Sequence, residues 1–432
     1  MSTQTKKVAF HTLGCKLNYS ETSTISRKFI KYGYKKVGFK EFSDVYVINT
    51  CSVTENANKE TRKLIRSTKR INSNAIIALT GCYAQLKPEE LISIDGVSIV
   101  IGAEEKFNLL EHLDKLVVNN DKKLMFNSEI STVTKFEPSF SLNDRTRSFL
   151  KVQDGCDYNC TFCTIPKARG PSRNQTVQQT MKVAEKLAET SAKEVVLTGV
   201  NIGDFGSGSD ESFIDLIMNL DKLDGIERIR ISSIEPNLLS DEIIEFCAKS
   251  KKFMPHFHIP LQSGSNRILK SMGRRYDKMD FYNRIKKIKK LILDACIGVD
   301  VIVGFPSETE EDFMDTYNFI NQLDVSYLHI FTYSERDNTK ALKLSPIVPK
   351  SIRAERSKRL HALSEIKRNY FYDSFVGKEK YALFESMKNG KIVGHTDNYI
   401  KIYVDGDISL INTVQKVNII ERKSGYMRAN LN

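Results

Sequence analysis

Apolar and polar residues alternate along the first hundred or so positions with a period that switches between strand-like and helix-like. Short apolar runs at residues 8–10, 45–48 and 76–79 are separated by helical stretches. Short apolar strands that alternate with helices are typical of a parallel α/β sheet. The pattern therefore predicts an N-terminal parallel α/β domain over residues 4–117.

The central part of the chain repeats a strand-and-helix pattern. Its six apolar strand candidates are residues 149–152, 194–197, 229–231, 257–259, 299–303 and 327–331. Ser240 and Thr309 are predicted to be N-cap residues of two helices between these strands. The repeats predict a partial (β/α)6 barrel of the TIM type over residues 143–374. Barrels of this type bind their ligands at the C-terminal ends of the strands.

Residues 375–432 show short alternating strands, such as 381–385 and 399–404. Asn389-Gly390 and Asp405-Gly406 are dipeptides typical of hairpin turns. This region therefore predicts a small all-β barrel of the nucleic-acid-binding kind. Residues 118–142 are polar and are interpreted as a linker with some extended structure. The predicted fold class is an α/β multidomain protein with a C-terminal β-barrel.

Charge and composition narrow the class of partner. The chain of 432 residues carries a formal charge of +12, which favours an anionic partner such as nucleic acid. Binding of that kind weakens steeply as salt rises. No apolar run of about eighteen residues predicts a transmembrane helix, and the first ten residues lack the apolar segment of a signal peptide. We therefore expect a cytoplasmic protein with no membrane partner.

Three of the eight cysteines form a compact run. Cys156, Cys160 and Cys163 have the spacing Cys-x3-Cys-x2-Cys, with no fourth cysteine nearby. Three thiolates on a four-iron cluster leave one iron open for a substrate or cofactor. The alternatives are a zinc site or a disulfide. Structural zinc usually takes four protein ligands, and no His follows within several dozen residues, so the spacing favours an iron–sulfur cluster.

Three further cysteines each follow the end of a predicted strand. They are Cys15, Cys51 and Cys82. The C-terminal ends of the strands are where open α/β sheets bind ligands, so three thiols at that edge could form a second three-cysteine cluster site. The alternative is three small buried residues in tight turns, since free Cys is commonly buried. Cys247 lies in the apolar pattern of a helix, and Cys296 has no partner spacing, so neither is given a role.

Together with Phe162, which precedes the third cysteine, the central run resembles the radical S-adenosylmethionine (SAM) superfamily. The whole chain resembles the methylthiotransferase family of radical SAM enzymes, over nearly all residues. The matching motifs are the central cysteine run, Thr12-Leu13-Gly14-Cys15-Lys16-Leu17-Asn18, Asn49-Thr50-Cys51-Ser52-Val53-Thr54, Thr80-Gly81-Cys82-Tyr83-Ala84-Gln85, His258-Ile259-Pro260-Leu261-Gln262-Ser263-Gly264-Ser265 and Asp300-Val301-Ile302-Val303-Gly304-Phe305-Pro306.

Within that family, the residues after Cys15 and the dipeptide Val53-Thr54 are most similar to the branch that acts on N6-threonylcarbamoyladenosine in tRNA. The branch that acts on prenyl-adenosine in tRNA tends to have Gln-Met after the first cysteine, and the branch that modifies a ribosomal protein tends to have Pro-Lys. The C-terminal barrel resembles the TRAM domain of the family.

The resemblance implies two [4Fe-4S] clusters and SAM as cofactors. The SAM-cleaving cluster would lie on Cys156, Cys160 and Cys163. The auxiliary cluster would lie on the three N-terminal cysteines, Cys15, Cys51 and Cys82, and could hold the transferred sulfur. One SAM would methylate that sulfur. A second would yield the radical that removes hydrogen from C2 of the adenine. The implied partners are the anticodon loop of tRNA, an electron donor such as flavodoxin or ferredoxin, and a sulfur donor.

Candidate SAM contacts follow the predicted strands and the cysteine run. They are Phe162, Gly199, Asn201, Ser233, Glu235, Gln262 and Gly304. Glycine lets backbone approach a ligand closely, and the polar residues could bond the amino group or ribose of SAM. Each also has an ordinary structural explanation, such as a strand-to-loop glycine, a solvated loop carboxylate or an aromatic core residue.

Two basic stretches could contact tRNA phosphates. The first occupies one side of a predicted helix and comprises Lys59, Arg62, Lys63, Arg66, Lys69 and Arg70, with Leu64, Thr68 and Ile71 opposite. The second comprises Arg353, Arg356, Lys358 and Arg359. The usual explanation of such a stripe is a solvated helix face.

Three other functions are alternatives to a tRNA methylthiotransferase. A two-cluster electron carrier fits poorly, because carriers usually saturate each cluster with four ligands. An RNA-binding module with structural clusters would do no chemistry. A protein-modifying methylthiotransferase would leave tRNA unchanged. Cleavage of SAM by the pure protein would exclude the electron carrier.

Overall fold

The computed structural model describes residues 5–52, 54–118, 123–142 and 146–432. Val53 of the second cysteine motif lies outside the described residues, as do residues 119–122 of the predicted linker. The described chain forms two compact units. The first consists of residues up to 142 with 149–159 and 163–175. The second consists of 146–148, 160–162 and 176–432.

The first unit is built on parallel strands that alternate with helices, as predicted. Its elements are β1 (Lys7–Thr12), α1 (Lys16–Lys31), β2 (Lys35–Val37), β3 (Val45–Thr50), α2 (Glu55–Ile71), β4 (Ile76–Gly81), α3 (Cys82–Leu86), α4 (Pro88–Ser93), β5 (Val97–Ile101), α5 (Leu109–Val118), β6 (Leu124–Phe126), the end of β7 (Arg147–Lys151) and α6 (Ile165–Arg169). The six strands β1 to β6 form one sheet in the order β2-β1-β3-β4-β5-β6, and every pair in it is parallel.

The sheet is covered by helices on both faces. All six residues of the central strand β3 are buried, which explains its unbroken apolar sequence. Ile25 and Phe29 of α1 join one buried cluster with Val47, while Ile65 of α2 joins another with Ile48. Successive residues of β3 therefore face different helices, as the alternation of side chains along a strand requires.

The strand order reverses at β1, which has β2 on one side and β3 on the other. In open α/β sheets such a switch point opens a ligand crevice at the carboxyl ends of the strands. Thr12 at the end of β1 pairs with Asn49, and Thr50 pairs with Gly81, so β1, β3 and β4 end at similar levels. The sheet therefore provides a binding edge at the strand ends that precede the three N-terminal cysteines.

The stretch interpreted as a linker contains part of this sheet. Within residues 118–142, β6 pairs in parallel with β5, and Phe140 forms a single bridge with Leu150 of the same unit. A strand of three residues that is half exposed leaves almost no pattern in a polar sequence, which explains why composition alone suggested a linker.

The second unit begins with the start of β7 and contains the other five predicted barrel strands. Its further elements are α7 (Val177–Ala188), β8 (Glu194–Thr198), α8 (Phe213–Asp221), β9 (Arg228–Ile231), α9 (Asp241–Lys249), β10 (His256–Gln262), α10 (Asn266–Met272), α11 (Lys278–Leu291), β11 (Cys296–Val303), α12 (Glu310–Gln322), β12 (Tyr327–Thr332) and α13 (Lys350–Asp373). Strands β8 and β9 pair in parallel, as do β10, β11 and β12. The Ser233–His258 bridge links the two sets.

The predicted N-caps are confirmed. Ser240 accepts a hydrogen bond from the Ile243 amide at the start of α9, and Thr309 accepts one from the Asp312 amide at the start of α12. Each hydroxyl satisfies an amide that has no partner within its helix. The alternating barrel pattern is therefore confirmed down to the helix starts. No helix of the described chain is both long and apolar enough to cross a membrane.

The chain ends in a closed β-barrel in the second unit. Its strands are β13 (Glu379–Lys388), β14 (Lys391–Thr396), β15 (Lys401–Val404), β16 (Val414–Lys423) and β17 (Tyr426–Leu431), in the order β13-β14-β15-β17-β16. Asn389 and Gly390, with φ of 51° and 74°, form the predicted hairpin turn between β13 and β14.

The second hairpin prediction, at Asp405-Gly406, is wrong. The strand β15 pairs with β14 and β17, whereas β16 pairs with β13 and β17. A turn dipeptide reports that the chain changes direction. It does not report which strands pair afterwards.

Buried charge joins the C-terminal barrel to the rest of the second unit. Arg230 of β9 donates to Glu194 of β8 at 2.7 Å, and to the carbonyl oxygens of Thr396 at 2.9 Å and Asp397 at 2.7 Å. Burial alone would raise the pKa of Glu194, but Arg230 and Arg228 outweigh it and lower this pKa to about 2. An ionised Glu194 therefore holds both arginines in place beneath the C-terminal barrel.

Candidate active site

The three N-terminal cysteines follow the strand ends at the switch-point edge of the first sheet. Cys15 is the exposed N-cap residue of α1, Cys51 directly follows β3, and Cys82 is the first residue of α3. Gly14 has a φ of +91°, and a Cβ there would lie 2.8 Å from the Cys51 sulfur. Only glycine adopts this conformation at such close approach without strain. The loops of Cys15 and Cys51 are therefore packed against each other.

Buried polar side chains fix these loops. The amide of Asn18 donates to the carbonyl oxygens of Leu13 at 2.9 Å and Thr50 at 3.2 Å. The Thr50 hydroxyl donates to the Thr80 carbonyl at 2.6 Å and accepts from the Ala84 amide at 3.1 Å. These bonds tie the residues before Cys15, Cys51 and Cys82 to one another, so the strand edge is held rigidly.

A buried arginine interacts with two of these thiols. Arg169 ends α6, which packs on α3. Its guanidinium donates a hydrogen bond to Cys82 and interacts electrostatically with Cys15. It also donates to Asn18 at 2.5 Å. Burial raises the pKa of the Cys82 thiol, and Arg169 opposes that rise. Arg169 was not predicted from the sequence, where its only signal is a basic residue shortly after the central cysteine run.

The predicted SAM-cleaving cysteines lie in a loop through which the boundary of the two units passes. In the first unit, the Cys156 amide donates to the Gly170 carbonyl at 3.0 Å, and Asp154 and Arg173 exchange backbone hydrogen bonds of 2.9 and 2.8 Å. The side chains of Cys156 and Cys163 are half-buried. The start of the loop is therefore held by backbone bonds, while its thiols stay accessible.

Cys160 belongs to the second unit and has its own arginine. Arg274 donates to the Cys160 sulfur at 3.1 Å and forms an ion pair with Glu235. Burial raises the pKa of Cys160, and Arg274 opposes that rise. The neighbouring Thr161 amide donates to the Met272 carbonyl at 2.9 Å. Arg274 was not predicted from the sequence, because nothing in the local pattern marks a cation just after a helix as a partner of a distant cysteine.

Three predicted SAM contacts have structural partners in the second unit. Glu235 pairs with Arg274, and burial raises its pKa while Arg274 opposes that rise. Phe162 packs edge-to-face on Phe305 with ring centroids 6.3 Å apart. Gly304, with a φ of +73°, leaves the space where a Cβ would collide with the side chain of Arg353. Their contact with SAM stays a prediction.

Other predicted SAM contacts end the barrel strands in a way that fits a polar ligand. Gln262 ends β10 with a φ of 66°, and its side-chain oxygen is buried without a hydrogen-bond partner among the described residues. The hydroxyl of Thr198, at the end of β8, is also buried without a hydrogen-bond partner among the described residues. Native structures rarely leave such atoms unsatisfied, so they favour a ligand at the carboxyl ends of the strands. Asn201, which follows Thr198 closely in sequence, is buried, and Gly199 and Ser233 are half-buried.

Three polar residues on neighbouring barrel strands were not predicted. His258, Asp300 and His329 lie on β10, β11 and β12 with their donor atoms all within 4.8 Å of one another. The His258 Nε2 and an Asp300 carboxylate oxygen are 2.9 Å apart. The sequence signal is a single polar residue inside an apolar strand, repeated on three strands. These residues form a polar cluster on the barrel strands of the second unit.

The first predicted phosphate-binding face is exposed on α2, and Thr68 is buried on the opposite side with Thr61 and Ile65. Four of its six cations have local partners in Glu55, Glu90, Glu60 and the Ser73 carbonyl. Arg66 and Arg70 are exposed and make no ion pair within the part of the chain that the structure describes. They are therefore the cations of this face that are most available to a phosphate.

The second predicted RNA contact is wrong for two of its residues. Arg353 and Arg356 are buried on α13. Arg353 donates to the Val348 carbonyl at 2.7 Å, and Arg356 pairs with Glu308 at 2.6 Å. A run of cations on a helix gives no information about which of them point inward. Here the inward ones neutralise buried carboxylates.

Replacing Arg274 with methionine should lower the free energy of unfolding by about 3 kcal/mol, because Glu235 would be left buried without its partner. The deficit should shrink as pH falls. A carboxyl with a raised pKa takes up a proton more readily in the folded chain, and protonation then favours folding. Urea unfolding of Arg274→Met tests this, with Arg274→Met/Glu235→Gln as control. A double variant no more stable than the single one would contradict the expectation.

Comparisons with known proteins agree with this arrangement. The family described as Radical SAM superfamily matches residues 150–320, and the uncharacterized protein family UPF0004 matches residues 7–102. A Bacillus subtilis (strain 168) protein named threonylcarbamoyladenosine tRNA methylthiotransferase MtaB is 41% identical, over 97% of this chain and 94% of its own. A Rickettsia bellii (strain RML369-C) protein named tRNA-2-methylthio-N(6)-dimethylallyladenosine synthase is 32% identical, over 92% and 93%.

A solved structure shows the same fold at low sequence identity. TsrM from Kitasatospora setae, a radical S-adenosylmethionine methyltransferase, aligns with a TM-score of 0.56 at 12% identity, over 76% of this chain and 73% of that one. At this identity the likeness concerns the fold alone. The two curated relatives match nearly full length at 30% identity or more. The chain therefore belongs to the radical SAM methylthiotransferase family and is an enzyme that uses SAM and two [4Fe-4S] clusters.

Proposed function

We propose that this enzyme replaces the C2 hydrogen of N6-threonylcarbamoyladenosine, next to the anticodon of tRNA, with a methylthio group to give 2-methylthio-N6-threonylcarbamoyladenosine. The observation that carries the proposal is the pair of incomplete cysteine sets. One follows the strand ends of the first sheet, at Cys15, Cys51 and Cys82, and the other is the run from Cys156 to Cys163. Each set leaves one iron of a four-iron cluster open.

The two sets divide the chemistry. Cys156, Cys160 and Cys163 would hold the cluster that supplies the electron for SAM cleavage, and Cys15, Cys51 and Cys82 would hold the cluster that carries the transferred sulfur. The protein has to hold the reactants close together and keep water out. Arg274, which donates to Cys160, fixes one ligand, and the bonds of Asn18 and Thr50 fix the other set. The reaction also needs an electron donor and a sulfur donor.

The choice of substrate rests on sequence similarity. The chain is 41% identical to a relative named for threonylcarbamoyladenosine and 32% identical to one named for dimethylallyladenosine. In the branch motif after Cys15, Lys16 is exposed, Leu17 lies in the core of the first unit and Asn18 bonds Arg169. Leu17 and Asn18 support the auxiliary cysteines, and the substrate has to be tested directly.

Mass spectrometry of nucleosides from bulk tRNA tests the proposal. A strain lacking the gene is compared with strains complemented by the wild-type gene, by Cys15→Ala and by Cys247→Ala. We expect 2-methylthio-N6-threonylcarbamoyladenosine to disappear on deletion and to return with the wild type and Cys247→Ala only. Cys247 is a buried thiol of α9 outside both cysteine sets, so it controls for the loss of any cysteine.

Two other results would redirect the assignment. Loss of the prenyl-adenosine counterpart instead would keep the family but change the substrate. If neither nucleoside changes, tRNA is not the substrate, and a methylthiolated aspartate in a ribosomal protein becomes the target to measure.

Binding to tRNA should depend on the exposed cations of α2. Removing Arg66 and Arg70 together should weaken tRNA affinity and reduce the slope of log affinity against log salt by about 2, one for each lost phosphate contact. Lys59→Ala is the control, because Lys59 already pairs with Glu55 at 3.1 Å. Filter binding at several salt concentrations measures the slope. An unchanged slope in the double variant would place the RNA elsewhere.

A further inference from the structure

The first unit encloses a group of charged side chains beside the auxiliary cysteines. We call this group the cationic network, and it consists of Glu21, Lys106, Lys151, Asp154, Arg169 and Arg173. Glu21, Lys106, Lys151, Asp154 and Arg169 are each no more than 3% exposed. They come from parts of the chain that are far apart in sequence, so the network forms only when the first unit is folded.

Glu21 is the centre of one half of the network. Its carboxylate is 2.6 Å from Lys106, 3.2 Å from Lys151 and 3.1 Å from Arg169. Burial alone would raise the pKa of Glu21, but these three cations outweigh it and hold that pKa below its ordinary value. Glu21 is therefore ionised, and its charge is shared among three cations.

Asp154 is the centre of the other half. Its carboxylate is 2.8 Å from Lys151, 2.8 Å from Arg169 and 3.2 Å from Arg173. Burial lowers the pKa of Lys106 to about 8, so this amine also stays protonated at neutral pH. The network thus has four cations and two carboxylates, a formal excess of two positive charges among the described residues.

An excess of buried positive charge is costly unless an anion neutralises it. Arg169 connects the network to the auxiliary cysteines. It donates to Cys82, interacts with Cys15 and bonds Asn18, which fixes the loop between β1 and α1. The missing negative charge therefore belongs at the auxiliary cysteines.

A four-iron cluster in its usual oxidised state, with three cysteinates, carries formally about one negative charge, and an anionic sulfur on the open iron raises this to about two. That value matches the excess of the network. A neutral ligand on the open iron would leave part of the buried positive charge uncompensated.

We propose that Arg169 is a positioning residue of the auxiliary site, through which the cationic network stabilises a cluster on Cys15, Cys51 and Cys82 together with an anionic sulfur ligand. The inference rests on the proposed assignment of that cluster. It has two consequences. The network favours the reduced cluster, which is more negative, and so raises the reduction potential. It also favours a thiolate over a neutral ligand at the open iron.

The test uses the full-length chain with Cys156, Cys160 and Cys163 changed to Ala, so that only the auxiliary site loads. The chain is reconstituted with iron and sulfide, and its iron content is measured. A redox titration followed by electron paramagnetic resonance gives the midpoint potential, and a methanethiolate titration gives the affinity for an anionic sulfur. Neither readout depends on tRNA or on turnover.

In Arg169→Gln we expect the ratio of reduced to oxidised cluster at a given potential to fall at least tenfold, which is about 59 mV for one electron. We expect the affinity for methanethiolate to fall at least tenfold. The control is Arg27→Gln, an arginine of α1 in the same unit that donates hydrogen bonds to the neutral oxygens of Ser23, Thr24 and Phe140. It should leave both values unchanged.

If Arg169→Gln fails to load iron, the same measurements on Lys106→Met test the inference. This substitution removes one charge of the network without touching a thiol, and it should lower both the potential and the methanethiolate affinity. Full iron loading with both values unchanged in these variants would overturn the inference and leave the proposed function intact. A parent chain that loads no iron on Cys15, Cys51 and Cys82 would overturn the proposed auxiliary site itself.

Discussion

Cys160→Ala is expected to lower the formation of 5′-deoxyadenosine from SAM to below about 1% of the wild-type rate, because the central cluster loses one of its three ligands. The structure adds a second reason. Arg274 donates to the Cys160 sulfur and pairs with Glu235, so removing the thiol takes one hydrogen-bond acceptor from a buried guanidinium beside the loop. The measurement is 5′-deoxyadenosine formed by the reconstituted, reduced enzyme with SAM.

Iron content provides a companion readout. It should fall from about eight to about four atoms per chain in Cys160→Ala, since one of two four-iron clusters is lost. Cys247→Ala is the matched control, because burial raises the pKa of the Cys247 thiol to about 12 and leaves it a small core residue. That variant should keep its iron and its rate. Equal losses in both variants would mean that the cysteines act through stability alone.

Cys15→Ala should separate the two halves of the reaction. We expect SAM cleavage to persist, while the methylthiolated nucleoside falls below about 1% of wild type, because the auxiliary cluster then lacks a ligand. Cys15 is the exposed N-cap residue of α1, and its side chain caps no amide there. Its replacement therefore costs little helix stability, and a loss of product reports on the cluster rather than on folding.

The assay follows both products in one reaction with tRNA that contains N6-threonylcarbamoyladenosine. Cys296→Ala is the control, since Cys296 is buried at the start of β11 and packs with the C-terminal barrel. If Cys15→Ala abolished SAM cleavage as completely as Cys160→Ala does, the six cysteines would serve one centre, and the division into two sets would be refuted.

Much of the fold could be predicted because buried strands appear in the sequence as short apolar runs. The six residues of β3 are all buried, and the barrel strands are apolar runs bounded by capped helices. The sheet edge that carries the N-terminal cysteines could be predicted in the same way, since each cysteine directly follows such a run. Local patterns of this kind survive in the sequence whatever the tertiary contacts are.

The supporting charges could not be predicted, because their meaning depends on partners far away in the chain. Arg169 pairs with Glu21, 148 residues earlier, and Arg274 reaches Cys160, 114 residues earlier. Arg353 looks like a surface cation in sequence and is buried in the fold. The sequence shows which residues are charged and need a partner when buried. The partner itself can be identified only in the folded chain.

The two outer strands of the N-terminal sheet are short. β2 and β6 have three residues each, and two of the three in β2 are the exposed lysines Lys35 and Lys36. A sheet edge is a template on which a strand from another molecule can add. Short edges offer such a strand little to pair with, and the β2 edge also places positive charge against it. The chain can therefore keep a wide parallel sheet at high concentration while resisting growth into intermolecular β-structure.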